Sequence, residues 1–136
     1  MNIGFIGYSY DNFDKGKAKK IIDEIFSDLK NTDIIISGAT DKGIPGLVYH
    51  KAKSLNMKTV GITAEEAKEY TLFPVDELIF EGKHFGDESE KFISSLNVLY
   101  RIGGGDQSRQ EVKMAKDMNL EVYEYKLTRL KIKDER

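Results

Sequence analysis

The residues of this chain best suited to chemistry lie in three short loops. Gly103-Gly104-Gly105 is followed by Asp106, Gln107, Ser108 and Arg109, and then by Glu111 one helical turn further on. Three consecutive glycines give up chain entropy and contribute no packing. Placed between an apolar run and a polar helix start, they point to a ligand. Glycine lets the backbone approach an oxygen cluster closely, and a helix start supplies unpaired N–H groups and a positive partial charge. That is the chemistry of an anion pocket, here for a phosphorylated ligand. Ser37-Gly38-Ala39-Thr40-Asp41-Lys42-Gly43 is a second glycine-bearing turn that opens a helix, and Gly7 to Phe13, with Tyr8 and Ser9, is the third loop. Neither a G-x-G-x-x-G dinucleotide fingerprint nor a P-loop is present.

Around these loops stand further candidates. Glu111 can face the same mouth as Gln107 and Ser108, where a carboxylate would orient a ribose hydroxyl or activate water; as a first-turn acid it also complements the helix dipole. Arg109 could clamp a phosphate bidentately or remain a solvated charge. Lys15, Lys17, Lys19 and Lys20 crowd the start of the first helix, and Lys15 is the one placed to meet an anion near Ser9. Asp41 and Asp106 could hold Mg²⁺ together with phosphate oxygens, although turn chemistry explains both aspartates as well. No cofactor is required by this reading. Tyr8 and Tyr10 could stack on a base. His50 reads as a partly exposed helix residue, and His84 sits in a loop near the expected mouth.

The elements that must position these residues follow from periodicity. Ile3 to Gly7, Ile34 to Ile36, Thr59 to Ile62, Glu77 to Phe80, Val98 to Ile102 and Glu121 to Tyr125 are short and mostly apolar, as strands covered on both faces are. Between them lie helical patterns. Ala18, Ile21, Ile22, Ile25, Phe26 and Leu29 mark one buried face after an Asp14 N-cap. Ile44, Leu47, Val48, Ala52 and Leu55 mark another, with Pro45 in its first turn. A short helix is expected at Ala64 to Tyr70 and a longer one from Gln107 to Met118. Phe85, Phe92, Ile93 and Leu96 mark a further face and read as core, with enough apolar surface for a contact between copies. Strict alternation of strand and helix predicts an α/β, Rossmann-like three-layer sandwich with a mainly parallel sheet of five or six strands.

Composition limits the function. The chain has 136 residues, 32% charged and 40% hydrophobic, with a net charge of −2. This suits one domain, expected over residues 1–125, followed by a charged C-terminal tail over 126–136. The tail reads either as solvated or as an arm on a partner subunit through Leu127, Leu130 and Ile132. There is no cysteine, so disulfides, thiolate nucleophiles and cysteine metal sites are excluded. With two histidines, a three-histidine zinc site is impossible. No apolar run approaches the roughly 20 residues of a membrane span, and the N-terminus reads as a strand rather than a signal peptide. A cytoplasmic protein is expected. The acidic balance argues against a nucleic-acid partner.

Two motifs carry a family resemblance. Ser37-Gly38-Ala39-Thr40-Asp41-Lys42-Gly43-Ile44-Pro45-Gly46 and Gly104-Gly105-Asp106-Gln107-Ser108-Arg109-Gln110-Glu111 resemble the two glycine turns of the SLOG superfamily. That Rossmann-like group includes the LOG nucleoside-monophosphate phosphoribohydrolases, the DNA-processing protein of bacterial transformation and molybdenum-cofactor-carrier-like proteins. The resemblance implies that Gly104 and Gly105 bring N–H groups to phosphate, and that Ser108 adds a hydroxyl. It places Glu111 near the ribose, with Gly38 and Gly43 on the other wall and Gly7, Tyr8 and Ser9 lining the pocket. Ala39, Thr40, Gly103, Asp106, Gln107 and Arg109 complete the expected ligand-binding set. The resemblance also implies a homodimer or larger assembly.

The chain departs from that pattern twice. Gln107 replaces the last glycine of the family's G-G-x-G turn. Glu88 and Ser89 fall where the phosphoribohydrolases carry an Arg-Lys pair, so Arg101 or Arg109 would have to substitute. The leading expectation is a sensor or carrier of a nucleotide or nucleotide-derived ligand. The alternatives are a phosphoribohydrolase acting on a nucleoside 5′-monophosphate through Glu111, and a DNA-binding accessory protein.

Overall fold

The computed structural model of the chain describes residues 1–130. Strand β1 (Asn2–Gly7) leads to helix α1 (Lys15–Phe26), β2 (Ile34–Ser37), α2 (Gly43–Ser54) and β3 (Lys58–Thr63). A 3-10 turn (Glu65–Glu69), β4 (Glu77–Phe80), α3 (Ser89–Ser94), β5 (Val98–Ile102), α4 (Asp106–Asp117) and β6 (Glu121–Tyr125) follow. All six strands are parallel, in the order β4-β3-β2-β1-β5-β6. The architecture is the Rossmann-like α/β arrangement that the alternating pattern predicts.

Strand alternation divides the core between two faces of the sheet. Ile3, Phe5, Ile35 and Ile102 pack with Ile22 and Ile25 of α1 and Ile44, Val48 and Tyr49 of α2. Ile6, Ile36, Val60 and Leu99 pack with Phe92 and Ile93 of α3 and Val112 and Ala115 of α4. Both faces are therefore covered, which is why the central strands carry no polar stripe. The Asp14 side chain accepts from Lys17 N at 3.1 Å and caps α1 as expected. The helix stops at Phe26, so half-buried Leu29 packs from a turn rather than from the helix. The expected short helix at 64–70 is the 3-10 turn. No helix among the described residues is long and apolar enough to cross a membrane.

Two expectations about packing are corrected. Phe92 and Ile93 are core, but Phe85 is 47% exposed, because it lies in the loop before α3. The segment read as a tail does not leave the domain at Lys126. Leu127 is 6% exposed and belongs to the core beside α1 and α2. It is held there because Phe13 and Arg129 form an antiparallel bridge and Leu130 N donates to Asn12 O at 2.7 Å. Leu127 is thus used by its own chain, while Leu130 is exposed. Residues 131–136, Ile132 among them, lie outside the described residues.

Candidate functional site

The chain lays down β1 to β4 outward in one direction and then returns to place β5 and β6 on the other side of β1. Between β1 and β5 the strand order reverses, and ligands of open parallel sheets bind outside the carboxyl ends of strands at such a point. A cavity of about 520 Å³ opens there. It takes Gly7, Tyr8 and Ser9 from the loop after β1, Gly38, Ala39 and Thr40 from the loop after β2, and Gly105, Asp106, Gln107, Ser108 and Glu111 from α4 and its approach. The three loops singled out in the sequence therefore meet.

Four expected residues do not face this cavity: Gly43, Gly103, Gly104 and Arg109. Gly103 and Gly104 hold positive φ, +63° and +104°, and both are buried within the loop. Gly103 N is taken by Tyr125 O at 3.0 Å. The first two glycines thus shape the turn, and the third faces the cavity. Arg109 pairs with Asp106 on the exposed outside of α4. Gly43 N donates to Asp11 Oδ1 at 2.8 Å and Ile44 N to Tyr8 O at 2.8 Å, so the start of α2 is closed by the first loop. At α4 the situation is opposite. Among the described residues, no carbonyl or side chain accepts from the amides of Gly104, Gly105, Asp106, Gln107 or Ser108; the first bond of the helix is Arg109 N to Gly105 O at 3.1 Å.

Below this open helix start lies an acidic wall. Glu88 and Glu111 are both 6% exposed and both line the cavity. Ser89 Oγ donates to Glu111 Oε2 at 2.8 Å, and Gly86 N donates to Glu88 Oε1 at 2.6 Å. Burial pushes the Glu111 carboxyl up to about 7; the Ser89 hydrogen bond opposes that rise and the nearby Glu88 charge adds to it. Glu111 can therefore hold or release a proton at neutral pH. Glu88 lines the cavity, and Ser89 reaches it through its bond to Glu111. Neither arginine considered as a substitute there faces the cavity. Arg101 donates from Nε to Gly103 O at 2.9 Å and from its terminal nitrogen to Gly104 O at 3.2 Å, and pairs with Glu124. It ties down the glycine loop from behind.

The remaining candidates divide. Tyr8 lines the cavity and stacks on Phe13, with ring centroids 6.0 Å apart, and Tyr10 stands at the rim. Asp41 lines the cavity too, and its Oδ1 and Asn12 Oδ1 are buried without a partner among the described residues. Asp106 is engaged by Arg109. No group of three acidic or histidine side chains among the described residues is arranged for a metal ion. Lys15 pairs with Asp11 at 3.5 Å, away from the cavity. His50 is exposed on α2 and meets Phe73 edge-on. His84 is exposed beside Glu66.

Sequence reasoning missed three features. Arg129 lines the cavity, although it lies more than twenty positions beyond the glycine turn. Tyr70 and Phe85, both exposed, pair at 6.0 Å on the cavity wall; neither sits in a motif. Tyr49 is buried in α2 and shares its hydroxyl hydrogen between Gly38 O at 2.8 Å and Val60 O at 2.9 Å, which fixes the second loop. An apolar helix face containing one tyrosine was the only signal for that bond.

No protein-family model matches the chain, and no curated protein matches it. Solved structures do. The molybdenum cofactor carrier protein of Chlamydomonas reinhardtii superposes with a TM-score of 0.73 at 22% identity, over 90% of this chain and 74% of that one. The structural-genomics target TM1055 superposes at 0.74 and 21% identity, over 89% of this chain and 71% of that one. At this identity the likeness shows the fold. It is the Rossmann-like α/β arrangement described above.

Proposed function

We infer that this protein binds a nucleotide, or a related phosphorylated ligand, in the cavity between the β1 and β5 loops, and acts as a sensor or carrier of it. One observation carries this reading: the unpartnered amides at the start of α4 face a cavity of about 520 Å³ at the sheet's switch point. Such amides suit phosphate oxygens, and the volume suits a small molecule. The Tyr70–Phe85 pair and Tyr10 offer apolar faces for a planar ring. A cofactor carrier with the same fold is in keeping with a carrier role. The reading includes a cytoplasmic protein assembled as a homodimer or larger, which light scattering checks for assembly. Calorimetry against nucleoside mono-, di- and cyclic phosphates tests the ligand. Binding of at least one is expected, and no heat from any of them at millimolar concentration contradicts the reading.

A second reading has its own observation. Glu111 sits in the cavity wall with its proton affinity raised to about 7, which fits a group that activates water for attack on an N-glycosidic bond. Water would add across that bond, releasing free base and ribose 5-phosphate. Glu88, which is acidic where the resembling hydrolases carry arginine, weighs toward the carrier. Incubation with AMP and detection of free adenine decides between them. Release of adenine that Glu111→Ala abolishes selects the hydrolase.

A further inference from the structure

The segment Leu127–Leu130 crosses the switch point, and its docking is built into the glycine turn. Leu127 O lies 2.8 Å and Leu127 Cβ 3.1 Å from where a side chain on Gly103 would begin, so the first glycine is the groove in which this segment lies. Downstream, the Phe13–Arg129 bridge and the bond from Leu130 N to Asn12 O fasten it to the loop after β1. The segment is thus a strap over the two loops that flank the reversal. It delivers one charged group. The Arg129 guanidinium rests 5.5 Å from the centre of the Tyr8 ring, and its terminal nitrogen is 3.8 Å from the Cβ position of Gly105. Arg129 has no carboxylate within 4.0 Å among the described residues, and it shares the cavity with the amides of the α4 start.

We propose that Arg129, carried by the Leu127–Leu130 strap, is the anion-reading side chain of this cavity. It closes on the phosphate of the ligand from beside the α4 amides, next to Gly105. A guanidinium presents a planar fork of donors that matches phosphate bidentately. Its approach to the Tyr8 ring, 5.5 Å from the ring centre, favours its staying near that contact. The site thereby gains the positive charge that Glu88 withholds. Because the strap rests on both loops, a bound phosphate also holds the strap down.

This inference rests on the nucleotide reading, and the test separates the two. AMP and adenosine are titrated calorimetrically into wild-type protein and into R129Q, R129K and L127A, each checked for folding by circular dichroism. Trypsin cleavage after Lys126 and Arg129 is followed with and without AMP. The expected result is AMP binding that falls by about tenfold or more in R129Q, less in R129K, with adenosine binding unchanged. AMP should slow tryptic cleavage of the wild type, and L127A should lose AMP affinity and be cut faster. AMP binding that is equal in wild type and R129Q overturns the strap assignment and leaves the nucleotide reading standing. Equal loss of AMP and adenosine in R129Q assigns Arg129 a structural role and also overturns it. Absence of binding to the wild type by AMP, adenosine and every other nucleoside mono-, di- or cyclic phosphate overturns both; where another nucleotide binds in place of AMP, the R129Q comparison is made with that nucleotide and its nucleoside, with the same outcomes.

Discussion

Two helix starts in this protein resemble each other in sequence and differ in availability. Each follows a parallel strand, contains glycine and begins a twelve-residue helix. At α2 the first amides are filled by Asp11 and by Tyr8 O from the neighbouring loop. At α4 no protein group among the described residues fills them. The first start is a joint between two loops, and the second is a wall of a cavity. A glycine turn into a helix therefore states only that amides are exposed locally. Whether a ligand or a neighbouring loop takes them is decided by what the topology brings alongside. Here α2 lies under the β1 loop, and α4 lies across the switch point from it.

Substitutions should separate the joint from the wall. The largest effect is expected at Gly43, which holds φ +65° and whose Cβ would collide with Tyr8 O. Gly43→Ala should lower stability in urea by about 3 kcal/mol, from backbone strain and the forced shift of the first loop. A near-neutral outcome would mean that the joint yields freely.

Glu111 lies in the second turn at the open start, whereas α2 contains no acid. Its carboxyl is raised from 4.5 to about 7 in the folded protein, so folding favours the protonated form. That contribution is complete below the unfolded value of 4.5 and disappears as pH rises through 7. Glu111→Gln escapes the loss. Relative to wild type, it should gain about 3 kcal/mol between about pH 4 and about pH 8. A stability difference that is flat with pH would refute the buried, proton-retaining carboxyl.

Smaller effects complete the series. Asp11→Ala leaves Gly43 N without its acceptor and should cost about 1 kcal/mol, with ligand binding retained. Gly105→Ala should change stability by less than about 0.5 kcal/mol, since only Arg129 lies within 4 Å of the new methyl and φ at Gly105 is negative. It should still weaken nucleotide binding, because the methyl intrudes beside the open amides. Full binding by this variant would move the ligand away from the α4 start.

The fold was largely legible because its signals are local. Ile34-Ile35-Ile36 cannot be other than a covered strand once helices flank it, and Asp14 caps the helix it precedes. The loops of the site were legible for the same reason. What stayed hidden depends on contacts distant in sequence. Nothing near Gly43 says that Asp11 will fill its amide, thirty-two positions away. Nothing near Gly103 says that Leu127 will lie on it. The spacing of Leu127 and Leu130 announced an apolar arm, but an arm closing on its own domain reads the same as one reaching for a partner. Adjacency to the glycine turn singles out Arg109, yet helix geometry turns it outward to Asp106, while Arg129, in no motif, lines the cavity.

The most direct test of the open start is an amide chemical-shift titration of ¹⁵N-labelled protein with AMP. The account predicts that the amides of Gly105, Gln107 and Ser108 move progressively and saturate, while those of Gly43 and Ile44, already bonded, hold still. Shifts centred on Gly43 and Ile44, or no shift at the α4 start at millimolar AMP, would contradict it.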